Sequence, residues 1–189
     1  MTSVDSAADD ALPTLVARAQ RGEAAAFEQL VMRHIDRVSS TARLLLQDRV
    51  AADDAVQEAL LAAWRGIGSL RRSEAFPSWI RELTVRACVN VLRKRTGRRI
   101  VSVGARMVVA DFGDEVAVRH DLVEALNCLT PDHRAVIVLR FYADMTISEI
   151  AGALRVREGT VKSRLHYALA DLRSRADAAG RVPVAGHRR

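Results

Sequence analysis

The sequence is poor in the residues that build disulfide-bonded, metal-bound or β-rich proteins. It has two cysteines, Cys88 and Cys128, with no CxxC spacing between them. That excludes a disulfide framework, and both are expected to be small buried residues in a reducing compartment. His34, His120, His133, His166 and His187 show no metal-ligand spacing with them, so no metal or other cofactor is expected. Aromatic residues are 4% of the chain and prolines number four, against 49% hydrophobic residues, mostly Ala, Leu and Val. This composition favours helices and argues against a β-sandwich or barrel. No run approaches the roughly 18 to 20 apolar residues of a membrane span. The N-terminus lacks a basic start followed by an apolar core. Neither membrane insertion nor export is expected, and the cytoplasm is the expected site of action.

What is present is basic charge, unevenly placed. Net charge is +6 over 189 residues and the pI is near 10.3. Asp5, Asp9 and Asp10 precede any base, whereas Arg93, Lys94, Arg95, Arg98, Arg99 and Arg106 follow one another without an acid. Such a block is an electrostatic footprint for nucleic acid or an anionic surface. A solvated linker would carry the same run.

The segment ISEIAGALRVREGTVKSRLHYALADLR, residues 147–173, reads as a short helix, a tight break and a longer helix. At about 3.6 residues per turn, Val161, Leu165, Ala168 and Leu172 share one stripe, and Lys162, Ser163, His166 and Tyr167 lie opposite. The preceding helix buries Ile147, Ile150, Ala151 and Leu154, with Arg155 and Val156 as the break. This is the layout of a helix-turn-helix, whose second helix enters the DNA major groove. Gly159 and Thr160 suit its start, where free N–H groups favour an anion. An ordinary surface helix packed by its aliphatic stripe would show the same period.

Along the rest of the chain, residues 1–11 read as disordered. A helix pair, or one helix broken at Gly22 and Glu23, spans Leu12 to Arg33, with Phe27, Leu30 and Val31 inward. Helix continues over Ile35 to Leu46, and Asp48 is placed to cap the next, Ala51 to Arg65. Residues 66–78 read as a loop, and a helix from Ser78 to Arg95 tolerates Pro77 at its start. Residues 96–118 lack a period and read as a flexible linker. Helices follow at 120–128, 131–142, 146–153 and 157–177, and residues 178–189 fray. The expected fold is all-α: two small helical bundles, 12–95 and 119–177, joined by that linker, the C-terminal one carrying the helix-turn-helix.

The helix AADDAVQEALLAAWRGI has two faces. Val56, Ala59, Leu60, Ala63 and Ile67 form the core side; Asp54, Gln57, Glu58 and Leu61 form another. A Leu among acids suits docking on a basic protein surface rather than on DNA, although a solvated acidic face can hold one stray Leu. Arg71 and Arg72 in the following loop, beside a helix ending in LRKR, could hold a displaced single strand. Trp79 reads as a core anchor.

In this order, FEQLVMRHIDRV, ADDAVQEALLAAW and FPSWIRELTVRACVNVLRKR resemble region 2 of the extracytoplasmic-function (ECF) sigma factors of bacterial RNA polymerase, and ALNCLTPDHRAVIVLRFYADMTISEIAGALRVREGTVKSRLHYALADLR resembles region 4. The resemblance covers about four-fifths of the chain. It implies that Asp53, Asp54, Gln57, Glu58 and Leu61 dock on core polymerase. It implies that Arg71, Arg72, Ser73, Arg81, Arg86 and Asn90 recognise and open the −10 element. Arg86 and Asn90 stand where many relatives carry Asn and Asp. Thr160, Lys162, Ser163, Arg164, His166 and Tyr167 would read the −35 element. Residues 96–118 would thread toward the active centre of polymerase. The implied partners are core RNA polymerase, promoter DNA and an anti-sigma factor, the free protein being a monomer and no enzyme. A stand-alone helix-turn-helix repressor remains the alternative; it requires a dimer and a palindromic site. A recombinase with a C-terminal helix-turn-helix would need a nucleophilic Ser or Tyr beside an arginine cluster, which Ser39 and Ser40 do not have.

Overall fold

The computed structural model describes residues 11–97 and 123–178, and among these there is no strand. Helix α1 (Leu12–Gln20) carries its proline in the first turn, where the missing N–H costs no hydrogen bond. Gly22, at φ 88°, then turns the chain, and the Glu23 N–H donates back to the Arg18 carbonyl at 3.2 Å. That left-handed turn is a helix stop, so the expected break produces two helices, α1 and α2 (Ala24–Met32). Helix α3 (Ile35–Leu46) begins and ends where the sequence places it. Asp48 caps α4 (Arg49–Gly66) by accepting from the Ala51 N–H at 3.0 Å. The cap places the helix start two residues earlier than the apolar pattern suggests.

Residues 66–78 are more ordered than a loop. Short 3-10 turns occupy Ile67–Ser69 and Ser73–Ala75, and α5 (Phe76–Gly97) starts at once. Phe76 explains the early start. It is fully buried, and the rings of His34 and Trp79 lie 5.6 and 6.1 Å from it. Trp79 is the expected anchor; a Cβ on Gly66 would sit 3.2 Å from its ring, so only glycine ends α4 there without pushing it. Helix α4 packs on both α3 and α5 through Ala52, Ala55, Val56, Ala59 and Ala63. Small side chains let three helices approach closely. Trp64 reaches the other way, edge-on to Phe27 at 5.1 Å.

Helix α5 runs to Gly97, so the first two residues assigned to the linker are helical. The remainder of that linker, like residues 1–10 and 179–189, lies outside the described residues. The second group comprises α6 (residues 123–127), α7 (Pro131–Ile137), α8 (Ile147–Leu154) and α9 (Glu158–Ala178). The single helix expected over 131–142 is α-helical only to Ile137, and Val138–Tyr142 is a π turn, with the Ala143 N–H on the Val138 carbonyl at 2.9 Å. The wider turn keeps Val138, Leu139 and Ala143 buried while Phe141 points outward. Cys88 is buried, and burial pushes its thiol up to about 12, which makes it inert. Cys128 is exposed, against expectation. Val123, Leu126 and Leu129, spaced three apart, carry the buried stripe, and Cys128 falls beside it.

The buried residues form one cluster reaching from Leu15 to Ala168. The two groups touch: α3 packs on α7 and the π turn, and α5 packs on α8.

Candidate nucleic-acid and polymerase interfaces

The helix-turn-helix is built from local signals. Thr146 and Glu149 form a reciprocal capping box at the start of α8: the Glu149 N–H donates to the Thr146 hydroxyl at 3.2 Å, and the Thr146 N–H to Glu149 Oε2 at 2.7 Å. These bonds from Thr146, its backbone first and its hydroxyl second, hold the Glu149 carboxyl below the usual range, with a smaller pull from Arg81. Arg155 ends the helix at φ 54°, and the Val156 N–H returns to the Ala151 carbonyl at 3.0 Å. Helix α9 then packs on α7 and α8, burying Val161 and Ala168, with Leu165 and Leu172 half-buried beside them.

The opposite side of α9 is open. Lys162, Ser163, His166 and Tyr167 are all exposed, Tyr167 by 62% despite its size. The His166 and Tyr167 rings meet edge-on at 5.5 Å. The Ser163 hydroxyl donates to the Thr160 carbonyl at 3.0 Å, so it is preset in position while its lone pairs stay free. Thr160 is half-buried. Arg164 is set apart from the other five: Nη2 donates to Asp132 Oδ2 of α7 at 2.5 Å, and its side chain is only 24% exposed. It ties the long helix to α7.

On α4, Asp54, Gln57, Glu58 and Leu61 project together into solvent, Leu61 by 54%. Asp53 does not join them. Its carboxylate lies 3.7 Å from Arg43 Nη2 and 3.9 Å from Arg49 Nε, so it braces the start of α4 against α3.

The third set divides in two. Arg71 and Arg72 are exposed between the 3-10 turns, Arg72 Nε being 4.0 Å from Glu74. The half-buried Ser73 donates to Glu74 Oε1 at 2.9 Å. Glu74 lies below the ordinary carboxylate range, through its own backbone N–H first and Ser73 second. Arg81, Arg86 and Asn90 of α5 line a cleft of about 760 Å³, Arg86 and Asn90 from one side of the helix and Arg81 from its edge. Arg86 pairs with Glu82 at 2.6 Å. The opposite wall is Met145, Glu149, Gly152 and Arg155, so α8 faces this part of α5. Nothing in the sequence signals that neighbour, because it lies on the far side of the linker.

Residues 30–98 match sigma-70 region 2, and residues 125–174 match sigma-70 region 4. The ECF RNA polymerase sigma factor SigM of Mycobacterium tuberculosis is 36% identical over 158 residues, spanning 84% of this chain and 81% of that protein. The chain belongs to the ECF sigma factors. As an ECF sigma factor it serves RNA polymerase in promoter-specific transcription initiation. The RNA polymerase sigma-E factor of Streptomyces avermitilis is 35% identical over 159 residues, 80% of this ECF factor and 86% of its relative. Among solved structures, CnrH in complex with the cytosolic domain of CnrY is similar over 89% of the factor and 99% of that chain, at 26% identity and TM-score 0.58. The sigma factor RpoE of Bartonella quintana, solved with the anti-sigma factor NepR, shares the fold at 23% identity and TM-score 0.60, over 78% of the factor and 94% of its own chain.

Proposed function

We propose that this ECF factor docks on core polymerase through the ridge of Asp54, Gln57, Glu58 and Leu61. It engages the −10 element with Arg71, Arg72, Ser73, Arg81, Arg86 and Asn90, and reads the −35 element with Lys162, Ser163, His166 and Tyr167. Thr160 supports the start of the reading helix, Arg164 fixes its angle, and Asp53 braces the ridge. The observation that carries the reading is the open side of α9: four donor or aromatic side chains stand exposed there, opposite the packed stripe. Gly159 adds to it. A Cβ there would meet nothing within 4 Å, so no internal contact requires glycine, whereas close approach of a phosphate at a helix start does.

The physical division follows from charge. Acids on α4 are repelled by phosphate and attracted to a basic protein surface, and Leu61 supplies apolar contact there. Arginines on α5 attract a backbone, and trapping an unstacked base offsets an unstacking cost of a few kcal/mol. One helical reader buries only about 600 to 1,000 Å², and each good base pairing contributes about 1 to 3 kcal/mol. Two readers tied to polymerase raise each other's effective concentration. The two units are taken as 12–95 and 119–177, with 96–118 as the tether toward the active centre, and 1–11 and 178–189 as tails. Bond chemistry belongs to polymerase. The factor acts in the cytoplasm as a monomer when free; among the described residues no helix is long and apolar enough to cross a membrane. Because CnrH is held by the cytosolic domain of CnrY, a regulatory protein in the role of an anti-sigma factor is the expected inhibitor.

The test is reconstitution. Purified factor added to core polymerase with a randomised promoter library should select transcripts with a fixed start and two fixed upstream elements. Absence of any promoter-dependent transcript overturns the proposal. A dimer bound tightly to a palindrome without polymerase supports the repressor reading instead.

A further inference from the structure

Helix α1 carries none of the residues proposed to touch polymerase or DNA, and it lies outside the segment that matches region 2, residues 30–98. Its last residue nevertheless reaches across the bundle. Gln20 Nε2 donates to the Ile67 carbonyl at 3.1 Å and to the Leu70 carbonyl at 2.8 Å. One amide group, with two donor hydrogens, thus holds both ends of the first 3-10 turn, which closes on itself by the Leu70 N–H on the Ile67 carbonyl at 3.0 Å. The Leu70 carbonyl belongs to the peptide unit that leads into Arg71. That unit is planar, so a bond on its oxygen also fixes the direction in which the Arg71 backbone leaves. Gln20 is itself held in place. Leu15, Val16 and Ala19 bury the inner side of α1, and α1 packs on both 3-10 turns. Just past Gln20, Gly22 stops the helix, and Glu23 accepts from Arg18 Nε at 2.7 Å and from Arg21 Nη2 at 3.2 Å.

We propose that Gln20 is a positioning residue for −10 recognition: by bonding the Ile67 and Leu70 carbonyls it sets the path of residues 67–72, and so the place from which Arg71 and Arg72 meet the displaced strand. The inference rests on the assignment of Arg71 and Arg72 to the −10 element. The segment has little else to hold it. Ile67 is buried and Leu70 half-buried, but Gly68, Ser69, Arg71 and Arg72 are exposed, and a Cβ on Gly68 would meet nothing within 4 Å. The Ser69 hydroxyl bonds locally, to the Gly66 carbonyl at 2.7 Å, and ties the segment to no other helix. Glycine leaves such a backbone many paths. The two bonds from Gln20 remove that freedom before DNA arrives, which is the general advantage of preorganisation. Attraction to phosphate tolerates a shifted loop. Capture of one particular unstacked base does not, because its groups must come within hydrogen-bond distance. Loss of the Gln20 donor therefore costs −10 discrimination more than it costs affinity for DNA in general.

The experiment uses the full-length factor with core polymerase, on the promoter selected from the library and on its single-base variants at −10 and at −35. Gln20→Met keeps the length of the side chain and removes the donor. Gln20→Lys returns a donor that can reach both carbonyls. In Gln20→Met, discrimination among the −10 variants should fall about fivefold, the scale of one or two net hydrogen bonds, while discrimination at −35 and core affinity match the parent. Gln20→Lys should recover most of the loss. Discrimination is a ratio within one variant, so an added charge that raises affinity for every template alike cancels. Unchanged −10 discrimination in Gln20→Met overturns the positioning role. So does an equal loss at −10 and −35 with a lowered urea midpoint, which would make Gln20 a stabilising contact alone. The double variant Arg71→Ala/Arg72→Ala separates this inference from the reading beneath it. If that variant keeps the parent's −10 discrimination, the assignment of the segment is overturned; if it loses that discrimination and Gln20→Met does not, only the positioning role falls.

Discussion

Helices α4 and α9 obey the same rule and carry opposite loads. Each buries a stripe of small or aliphatic residues and turns another face outward that exposes large apolar side chains: Leu61 on α4, with Val50 and Trp64 also exposed on that helix, and Tyr167 on α9. Around Leu61 stand Asp54, Gln57 and Glu58; around Tyr167 stand Lys162, Ser163 and His166, all exposed. In the proposed roles, the sign of the surrounding charge separates a face for protein from a face for nucleic acid. The packing differs as well. Helix α4 is wedged between α3 and α5, whereas α9 rests on α7 and α8 with its outer side bare.

The sharpest break of this comparison is a crossed pair of variants. Asp54→Arg with Leu61→Ala should weaken binding to core polymerase by about 2 kcal/mol or more, the scale of a central interface residue, with the −35 preference unchanged among the complexes that form. Lys162→Ala and Tyr167→Ala should each cost about 1 to 3 kcal/mol in promoter use while core affinity, measured by fluorescence anisotropy, stays at the parent value. Equal loss of core affinity in both sets would show that the faces are misassigned.

A smaller effect probes how α9 is supported. Thr146→Ala removes the hydroxyl bonds of the capping box while the backbone N–H bond to Glu149 remains, and should lower stability by about 1 kcal/mol, read as a shift of the urea midpoint. Thr146→Ser, which keeps the hydroxyl, should retain most of it. Next comes the tie between α9 and α7. In a double-mutant cycle of Arg164→Ala and Asp132→Ala, the coupling in stability should be about 0.2 to 1 kcal/mol, because Asp132 is largely in water. The loss of −35 discrimination should exceed what that stability change explains.

The smallest effect is one of pH. Burial, with Arg33 adding to it, holds the His34 imidazole below its usual range. The unfolded chain therefore binds this proton more readily than the folded one. The contribution is fully present above about 6.5, the unfolded value, and is lost as pH falls below it toward the folded value. Stability should decline on acidification through this window, and His34→Gln should flatten the decline, as followed by thermal melts. No change of slope would show that His34 titrates alike in both states.

Local chemistry was legible. Asp48 as a cap, Gly22 as a stop, Trp79 as an anchor after Pro77, and the two-sided α9 are all readable from nearest neighbours in the chain, because caps, turns and amphipathic periods are decided within about four residues; Phe76, placed in a loop by the sequence, is instead the buried start of α5. The capping box at Thr146 and Glu149 was just as local, a Thr followed three positions later by Glu, and could have been found by that pattern. The π turn at Val138–Tyr142 was not legible, since the apolar run there suits either helix. That Asp54, Gln57, Glu58 and Leu61, and Lys162, Ser163, His166 and Tyr167, lie on outward faces followed from the helical period alone; the roles proposed for them came from the resemblance. Asp53 and Arg164 carry the same charges as their neighbours in sequence, yet each is drawn inward by a partner on another helix, Arg43 and Asp132.

By itself, then, the sequence determined an all-helical chain with a helix-turn-helix near its end, because helical period and caps are written in short spacings. Only the tertiary structure decided which charged residues stand free and which are braces. It alone placed α8 before the arginines of α5 and set Arg37 against Asp144, because contacts between segments about a hundred positions apart leave no local pattern to read.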